Sequence, residues 1–325
     1  MTPGPPDPAG DHSRTVDVDG PIHCVGPLHY VGPTLHYVDH GRSGAGPTIV
    51  LVHGLGGSHL NWDLLAPKLT GHGHVLAPDL PGFGLSAPRG RAATVRANVD
   101  VLAGFVRATS DAPVVLVGNS MGGLIAVLLA ARMPQLVRGL VLLDPALPAP
   151  GRVTRSPADA ALLAAYALPG VGERLRRTRR ERIGAMATVH DTFRLGGVDP
   201  AALPADLVER HVAIVERQAG TTGADRAFLS ASRSLAGVLT RAVGYRAAMA
   251  SIRVPVLLLH GDRDRLVPVA AARATARRHP QWRYVELPGV GHLPQLQAPD
   301  DAARHLTDWL ARLPGPACTE HRESR

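Results

Sequence analysis

Six short, largely apolar runs divide this chain of 325 residues: TIVLVH at 48–53, HVLAPDL at 74–80, VVLVG at 114–118, LVLLDPA at 140–146, VPVLLLHG at 254–261 and WRYVEL at 282–287. In most of them the apolar residues are continuous and β-branched rather than alternating with polar ones. Strands that read this way are buried on both faces, as in a parallel sheet covered by helices. Helical patterns fill the intervals: WDLLAPKLT, the stretch from Thr94 to Ala108, GLIAVLLAARM, AARATARRHP and, after the last run, DDAARHLTDWLARL. Strand and helix in alternation predict an α/β fold with a mostly parallel central sheet.

The alternation stops at Pro145 and resumes near Met249. In between lies Ala-, Leu- and Arg-rich sequence with helical spacing, such as ADLVERHVAIVERQ at 205–218, cut by LPG and GG breakers. An insertion of that kind predicts a helical cap over one end of the sheet. The expected organisation is a flexible extension over 1–33, a first core segment over 34–146, the cap over 147–248, a second core segment over 249–313 and a flexible tail over 314–325. Three short copies, GPIHCV, GPLHYV and GPTLHYV, run from 20 to 38. They read as a hairpin or meander entering the sheet, with their histidines as edge-strand residues rather than metal ligands.

In open α/β sheets ligands bind at the carboxyl ends of the strands. The residues just after each run are therefore the place to look for chemistry. Gly118-Asn119-Ser120-Met121-Gly122 comes at the end of the third run and fits G-x-S-x-G, in which a strand turns sharply into a helix and projects a serine hydroxyl above the sheet. A serine needs a base to take its proton, and the base needs a carboxylate. His292, in GVGHLPQ, comes after the last run and suits the base; Asp264, in GDRDRLVP, comes after the run before it and suits the acid. Asp144 and Asp262 are the competing acids, Asp262 with the alternative task of bracing its turn. The oxyanion of an acyl-transfer intermediate calls for backbone N–H donors. Met121 is one candidate, and Leu55 in the turn His53-Gly54-Leu55-Gly56-Gly57 is the other. Asp79, in DLPGFGLS, is read as organising its turn. Leu147, Val267 and Leu293 flank these positions and suggest an apolar substrate pocket. Trp62 is either a packed core residue or part of the pocket entrance.

Together HGLGG, DLPGFGLS, GNSMGG, LVLLDPA, GDRDRLVP and GVGHLPQLQAP resemble the α/β-hydrolase superfamily with a helical cap, over roughly residues 34–313. The resemblance implies a serine hydrolase with the triad Ser120, Asp264 and His292 and with no metal or cofactor. The implied activity is cleavage of a small, modestly hydrophobic carboxylic ester by a carboxylesterase or lipase-like enzyme. Dehalogenases and epoxide hydrolases of the superfamily use aspartate where this chain has Ser120, whereas cofactor-free haloperoxidases share the serine triad. Carbon–carbon bond hydrolases of the meta-cleavage type often carry a similar NSMGG elbow, but with a GPGA oxyanion turn in place of Gly54-Leu55-Gly56-Gly57. They are the alternative enzyme reading; a non-catalytic ligand-binding protein on the same scaffold is the alternative outside catalysis.

Charge first suggests a different class. The net charge of +8 is compatible with nucleic acid, but of 35 basic residues only Lys68 is a lysine and the other 34 are arginines spread along the chain. A dispersed excess of that kind points to coding bias rather than a nucleic-acid footprint. The dense cluster ERLRRTRRER at 173–182 reads as a solvated helix face, with a polyanion site as the alternative. Cys24 and Cys318 lie near opposite ends without partners at metal-ligand spacing, which predicts free thiols in a reducing compartment. The start of the chain lacks an apolar signal region, and no run reaches the ~18–20 residues that span a bilayer. The expectation is a soluble cytoplasmic enzyme of undetermined oligomeric state.

Overall fold

The computed structural model describes residues 12–18, 34–88, 93–148 and 170–314. All six apolar runs form strands, and two more join them at one edge. In chain order these are β1 Ser13–Asp17, β2 Thr34–Gly41, β3 Thr48–Val52, β4 His74–Pro78, β5 Val114–Asn119, β6 Val137–Leu143, β7 Val256–Gly261 and β8 Arg283–Leu287. They make one sheet in the order β1-β2-β4-β3-β5-β6-β7-β8. The pairings β1–β2 and β2–β4 are antiparallel and the others parallel.

Alternate residues of each central strand feed different layers, as the two-residue strand period requires. Val50, Val52, Leu116, Leu140, Leu142 and Leu258 pack on the side of helices α1 (Val95–Thr109) and α2 (Met121–Arg132). Ile49, Leu51, Val115, Val117, Val141, Leu143, Leu257 and Leu259 face the other side, where α9 (Pro299–Leu310) supplies Leu306 and Trp309. The helix expected at WDLLAPKLT is instead two 3-10 segments, His59–Trp62 and Ala66–His72. Pro67 sits at the start of the second; it has no N–H to donate and cannot extend a helix from the preceding residues.

Chain direction reverses around β3. The chain passes from β3 outward to β4, then returns to β5 on the opposite side of β3. This is the switch point at which open α/β sheets form a crevice. The HGLGG turn leaves β3 and Ser120 leaves β5 at that crevice.

The inserted region is helical: α3 (Val171–Leu195, broken at Gly184), α4 (Ala205–Gly220), α5 (Ala224–Thr240) and α6 (Val243–Ser251). Helices α7 (Val269–Arg278) and α8 (Pro294–Gln297) belong to the second core segment. Val189 and Phe193 of α3 and Leu207 and Ile214 of α4 share an apolar cluster with Leu60, Leu293 and Leu296 of the core. Helix α6 returns to the sheet, where Tyr245 and Met249 join the cluster of α1 and α2. No helix among the described residues is long and apolar enough to cross a membrane.

The N-terminal extension differs from expectation. Residues 1–33 read as flexible, yet Ser13–Asp17 forms the edge strand β1, in register from Ser13 opposite Val38 to Asp17 opposite Thr34. Pairing with β2 and full burial of Val18 offset the entropy lost on ordering this segment. The third GP copy enters β2, while the first two copies, Cys24 and Cys318 lie outside the described residues.

Candidate active site

Ser120 lies between β5 and α2 with φ 52° and ψ −119°, a left-handed conformation that side chains rarely adopt. Such geometry costs about 1–3 kcal/mol and persists where neighbours over-determine it. Here they do. The Ser120 N–H donates toward the carbonyls of Leu143 and Asp144, 3.2 Å to each, and its own carbonyl accepts from Ala146 at 2.9 Å and Leu124 at 3.2 Å. The flanking glycines are steric necessities: a Cβ on Gly118 would stand 2.6 Å from the Gly122 backbone, and one on Gly122 would stand 2.1 Å from the Val52 carbonyl oxygen. Met121 opens α2, whose first N–H groups carry the positive end of the helix. The turn bearing Leu55 is closed by a 3.1 Å hydrogen bond from Gly57 N–H to the Gly54 carbonyl.

Asp264 and His292, from the exits of β7 and β8, meet directly. The His292 Nδ1–H donates to Asp264 Oδ2 at 2.7 Å, and Asp264 Oδ1 accepts from the amides of Leu266 at 2.7 Å and Val267 at 2.9 Å. Burial works to raise the Asp264 pKa, but the hydrogen bond and charge of His292 and the Val267 amide outweigh it and hold the carboxyl below its ordinary value. The competing aspartates take other positions. Asp262 accepts from the Gly289 amide at 2.7 Å and braces that turn. Asp144 is fully buried at φ 42° and accepts from the Gly261 amide at 2.9 Å. Burial, and after it the adjacent charge of Asp264, push its pKa well above its ordinary value, so Asp144 is the more readily protonated member of the pair.

The backbone of His292 is held from two sides. Its N–H donates to the Gly196 carbonyl in the cap at 2.8 Å, and its carbonyl accepts from the Asn119 side chain at 3.0 Å. Asn119 Nδ2 also reaches the Leu143 carbonyl at 3.0 Å. The residue before Ser120 therefore ties the loop of the histidine to the strand of the serine. Nothing in the sequence pattern singled it out, because it occupies a variable position of G-x-S-x-G.

Ser120, His292, Leu55, Val267 and Leu293 line one cavity of about 500 Å³ beneath the cap. Two pocket expectations are corrected. Trp62 is fully buried in the cluster of Ile49, Leu51 and Leu65, because its short 3-10 helix turns it into the sheet. Leu147 is buried in the core on the α1–α2 side, and its neighbour Ala146 lines the cavity. The wall is also less apolar than expected, since Arg176, Arg179, Arg180 and Asp225 enter it from the cap. A second cavity histidine, His211, binds the Leu207 carbonyl through Nδ1 at 2.9 Å. Burial lowers its pKa to about 4, which leaves it neutral at pH 7. Asp264 gives His292 the carboxylate partner that His211 lacks at Nδ1.

Two groups of His and Asp side chains have ligand-type atoms close enough to hold a metal, among the described residues: Asp144, His260 and Asp264, and His36, His59 and Asp79. Internal hydrogen bonds engage side chains of both groups. His260 donates from Nε2 to the Val267 carbonyl at 2.8 Å. Asp79 accepts from Nδ1 of His36 and of His59 at 2.8 and 2.9 Å, and from the amides of His59 and Leu85 at 2.7 and 2.8 Å.

Comparison with known proteins identifies the family. The family pattern described as alpha/beta hydrolase fold matches residues 47–299. A pimeloyl-[acyl-carrier protein] methyl ester esterase of Aromatoleum aromaticum is 33% identical over 269 residues, which are 81% of this chain and 97% of that protein. Lipase LipV of Mycobacterium tuberculosis is 37% identical over 180 residues, 55% of this chain and 63% of that one. The crystal structure of haloalkane dehalogenase DbeA from Bradyrhizobium elkani USDA94 superposes with a TM-score of 0.69 at 26% identity, covering 92% of this chain and 98% of that chain. The chain belongs to the α/β-hydrolase fold family.

Proposed function

We propose that this α/β hydrolase cleaves carboxylic esters by two-step acyl transfer through Ser120, His292 and Asp264. The activity is that of an ester hydrolase of the esterase and lipase type. The observation that carries the residue assignment is the 2.7 Å bond from His292 Nδ1 to Asp264, with His292 and the strained Ser120 lining one cavity.

With Nδ1–H committed to the carboxylate, Nε2 is the ring nitrogen left to accept the Ser120 proton as Oγ attacks the ester carbonyl. Asp264 stabilises the imidazolium that forms. The amides of Met121 and Leu55 receive the oxyanion, one from the helix start and one from the glycine turn. Collapse of the tetrahedral intermediate expels the alcohol, which takes the proton from His292. Water, deprotonated by His292, then attacks the acyl-enzyme and regenerates Ser120. Leu55, Val267 and Leu293 give the acyl or alcohol group an apolar wall.

The test is hydrolysis of p-nitrophenyl esters from acetyl to dodecanoyl by the wild type and by Ser120→Ala. The expected result is turnover with a chain-length optimum that the substitution abolishes. Turnover that survives it, or none at any length, would overturn the reading.

A further inference from the structure

The arginine-rich run 173–182 divides when it folds. Arg174, Arg177 and Arg182 are exposed on the outside of α3. Arg176 and Arg180, four residues apart and so on one helix face, turn inward; Arg179 is exposed and donates to Asp191 Oδ2 at 2.6 Å, yet it also reaches the wall of the Ser120 cavity. Asp225 of α5 receives two of the three: Arg180 through both terminal nitrogens at 3.1 and 3.2 Å, Arg176 through Nε at 3.2 Å. Although burial works the other way, these guanidiniums hold Asp225 below the ordinary carboxylate range. Arg176 Cζ also stands 3.5 Å from the centre of the Phe228 ring, and a Cβ on Gly56 would meet that ring at 3.1 Å. A guanidinium therefore lies one aromatic ring away from the glycine turn beside Ser120.

Among the described residues lining the cavity, the charged side chains are three arginines and one aspartate. A clamp serving only to join α3 to α5 has no need to face the cavity. Planar guanidiniums held in place by a shared carboxylate and an aromatic face are suited to a second carboxylate, which they meet without a large ordering cost.

We propose that the cap wall formed by Arg176, Arg179 and Arg180 is a carboxylate subsite, and that favoured esters carry a carboxylate remote from the scissile bond, joined to it by an apolar spacer along Val267 and Leu293. This rests on the ester-hydrolase reading. The test uses matched pairs: mono-4-nitrophenyl adipate against 4-nitrophenyl hexanoate for a carboxylate on the acyl side, and 4-acetoxybutyrate against butyl acetate for one on the alcohol side. The expected kcat/KM ratio favours the charged member of at least one pair by about tenfold or more. It should fall toward one in the Arg176→Gln/Arg180→Gln double variant. It should also shrink in the wild type as salt is raised to about 0.5 M, which provides a readout if the variant does not fold. Ratios near one for both pairs, with Ser120-dependent turnover of the neutral esters, would overturn the subsite and leave the ester reading standing. If no ester is turned over, the ester reading fails, and calorimetry of adipate with the wild type decides the subsite: binding that salt weakens supports it, and no binding overturns it.

Discussion

Two buried histidine–aspartate clusters lie at the carboxyl end of the same sheet. Asp264 and His292 follow β7 and β8; Asp79 follows β4 and takes His36 from β2 and His59 from the turn after β3. In each, an imidazole Nδ1 faces a carboxylate oxygen at 2.7 to 2.9 Å. They differ in what lies beyond the ring. His292 lines the cavity, whereas His36 Nε2 is taken up by the Ser13 hydroxyl of β1 at 2.9 Å. The carboxylates differ too. Asp79 binds two imidazoles and two backbone amides, which joins three segments of the core; Asp264 spends two acceptor sites on its own turn and one on His292. A histidine–carboxylate contact is therefore no sign of catalysis by itself. It becomes one when the second ring nitrogen has access to a substrate.

The strongest way to break this contrast is to remove a carboxylate from each cluster and measure activity and stability together. Asp264→Asn should lower kcat by about 10³–10⁴-fold, because the amide no longer stabilises the imidazolium and favours the wrong tautomer. Its melting temperature should change little by comparison. Asp79→Asn should do the reverse: a loss of about 3 kcal/mol or more in chemical denaturation, from breaking a buried charged network, with kcat of the folded fraction largely retained. If Asp79→Asn abolished turnover without loss of stability, the two clusters would not have separate tasks.

Acid sharpens the same comparison. Burial opposes ionisation of Asp79, but His59 and His36 more than compensate and hold its pKa far below the ordinary value. A carboxyl depressed in the folded state contributes stability that is complete above its unfolded pKa, about 3.9, and is lost as pH falls from there toward the folded value. Wild-type stability should therefore decline below about pH 4 more steeply than that of Asp79→Asn, as urea denaturation at successive pH values would read. Asp144 gives a smaller effect within the other cluster. Because Asp144 is the more readily protonated of the two carboxyls, Asp144→Asn is a mild change that nearly keeps its shape, and kcat/KM should stay within about tenfold of wild type. A loss as large as that of Asp264→Asn would mean that Asp144, not Asp264, is the working acid.

The sequence was informative where backbone sterics dictate residue type. Burial on both faces wrote the parallel strands as continuous Val and Leu, and the close approach of Gly118 and Gly122 to neighbouring backbone wrote the elbow as G-x-S-x-G. Asp264 and His292 were legible because strand exits are few and each carries a short polar signature. The cap was legible only as helical spacing. Nothing in ERLRRTRRER says that Arg176 and Arg180 face inward while Arg177 faces out, since that depends on how α3 docks. Sequence adjacency misled at Leu147, where the path of the turn decides which neighbour reaches the cavity, whereas Trp62 took the core alternative the sequence had left open. The strand β1 escaped notice because HSRTVDV has too few apolar residues to betray a strand whose pairing is on one side only.

That strand provides the smallest and most specific test. With His36 Nδ1–H directed at Asp79, its Nε2 is an acceptor and the Ser13 hydroxyl donates to it; were the ring protonated, the same hydroxyl would accept instead. Ser13 can thus stay bonded in either charge state, which suits a cluster whose task is to hold β1, β2 and the Asp79 turn together. Ser13→Ala removes a single half-buried hydrogen bond and should cost about 1 kcal/mol or less, a shift of about 2 °C or less in the melting temperature of a chain this long. In an Asp79→Asn background most of that cost should disappear, because the substituted side-chain amide no longer fixes the His36 tautomer. The double-mutant cycle reads the difference directly. Additive losses would mean that Ser13 steadies β1 on its own account, and that the cluster ends at His36 rather than reaching the edge of the sheet.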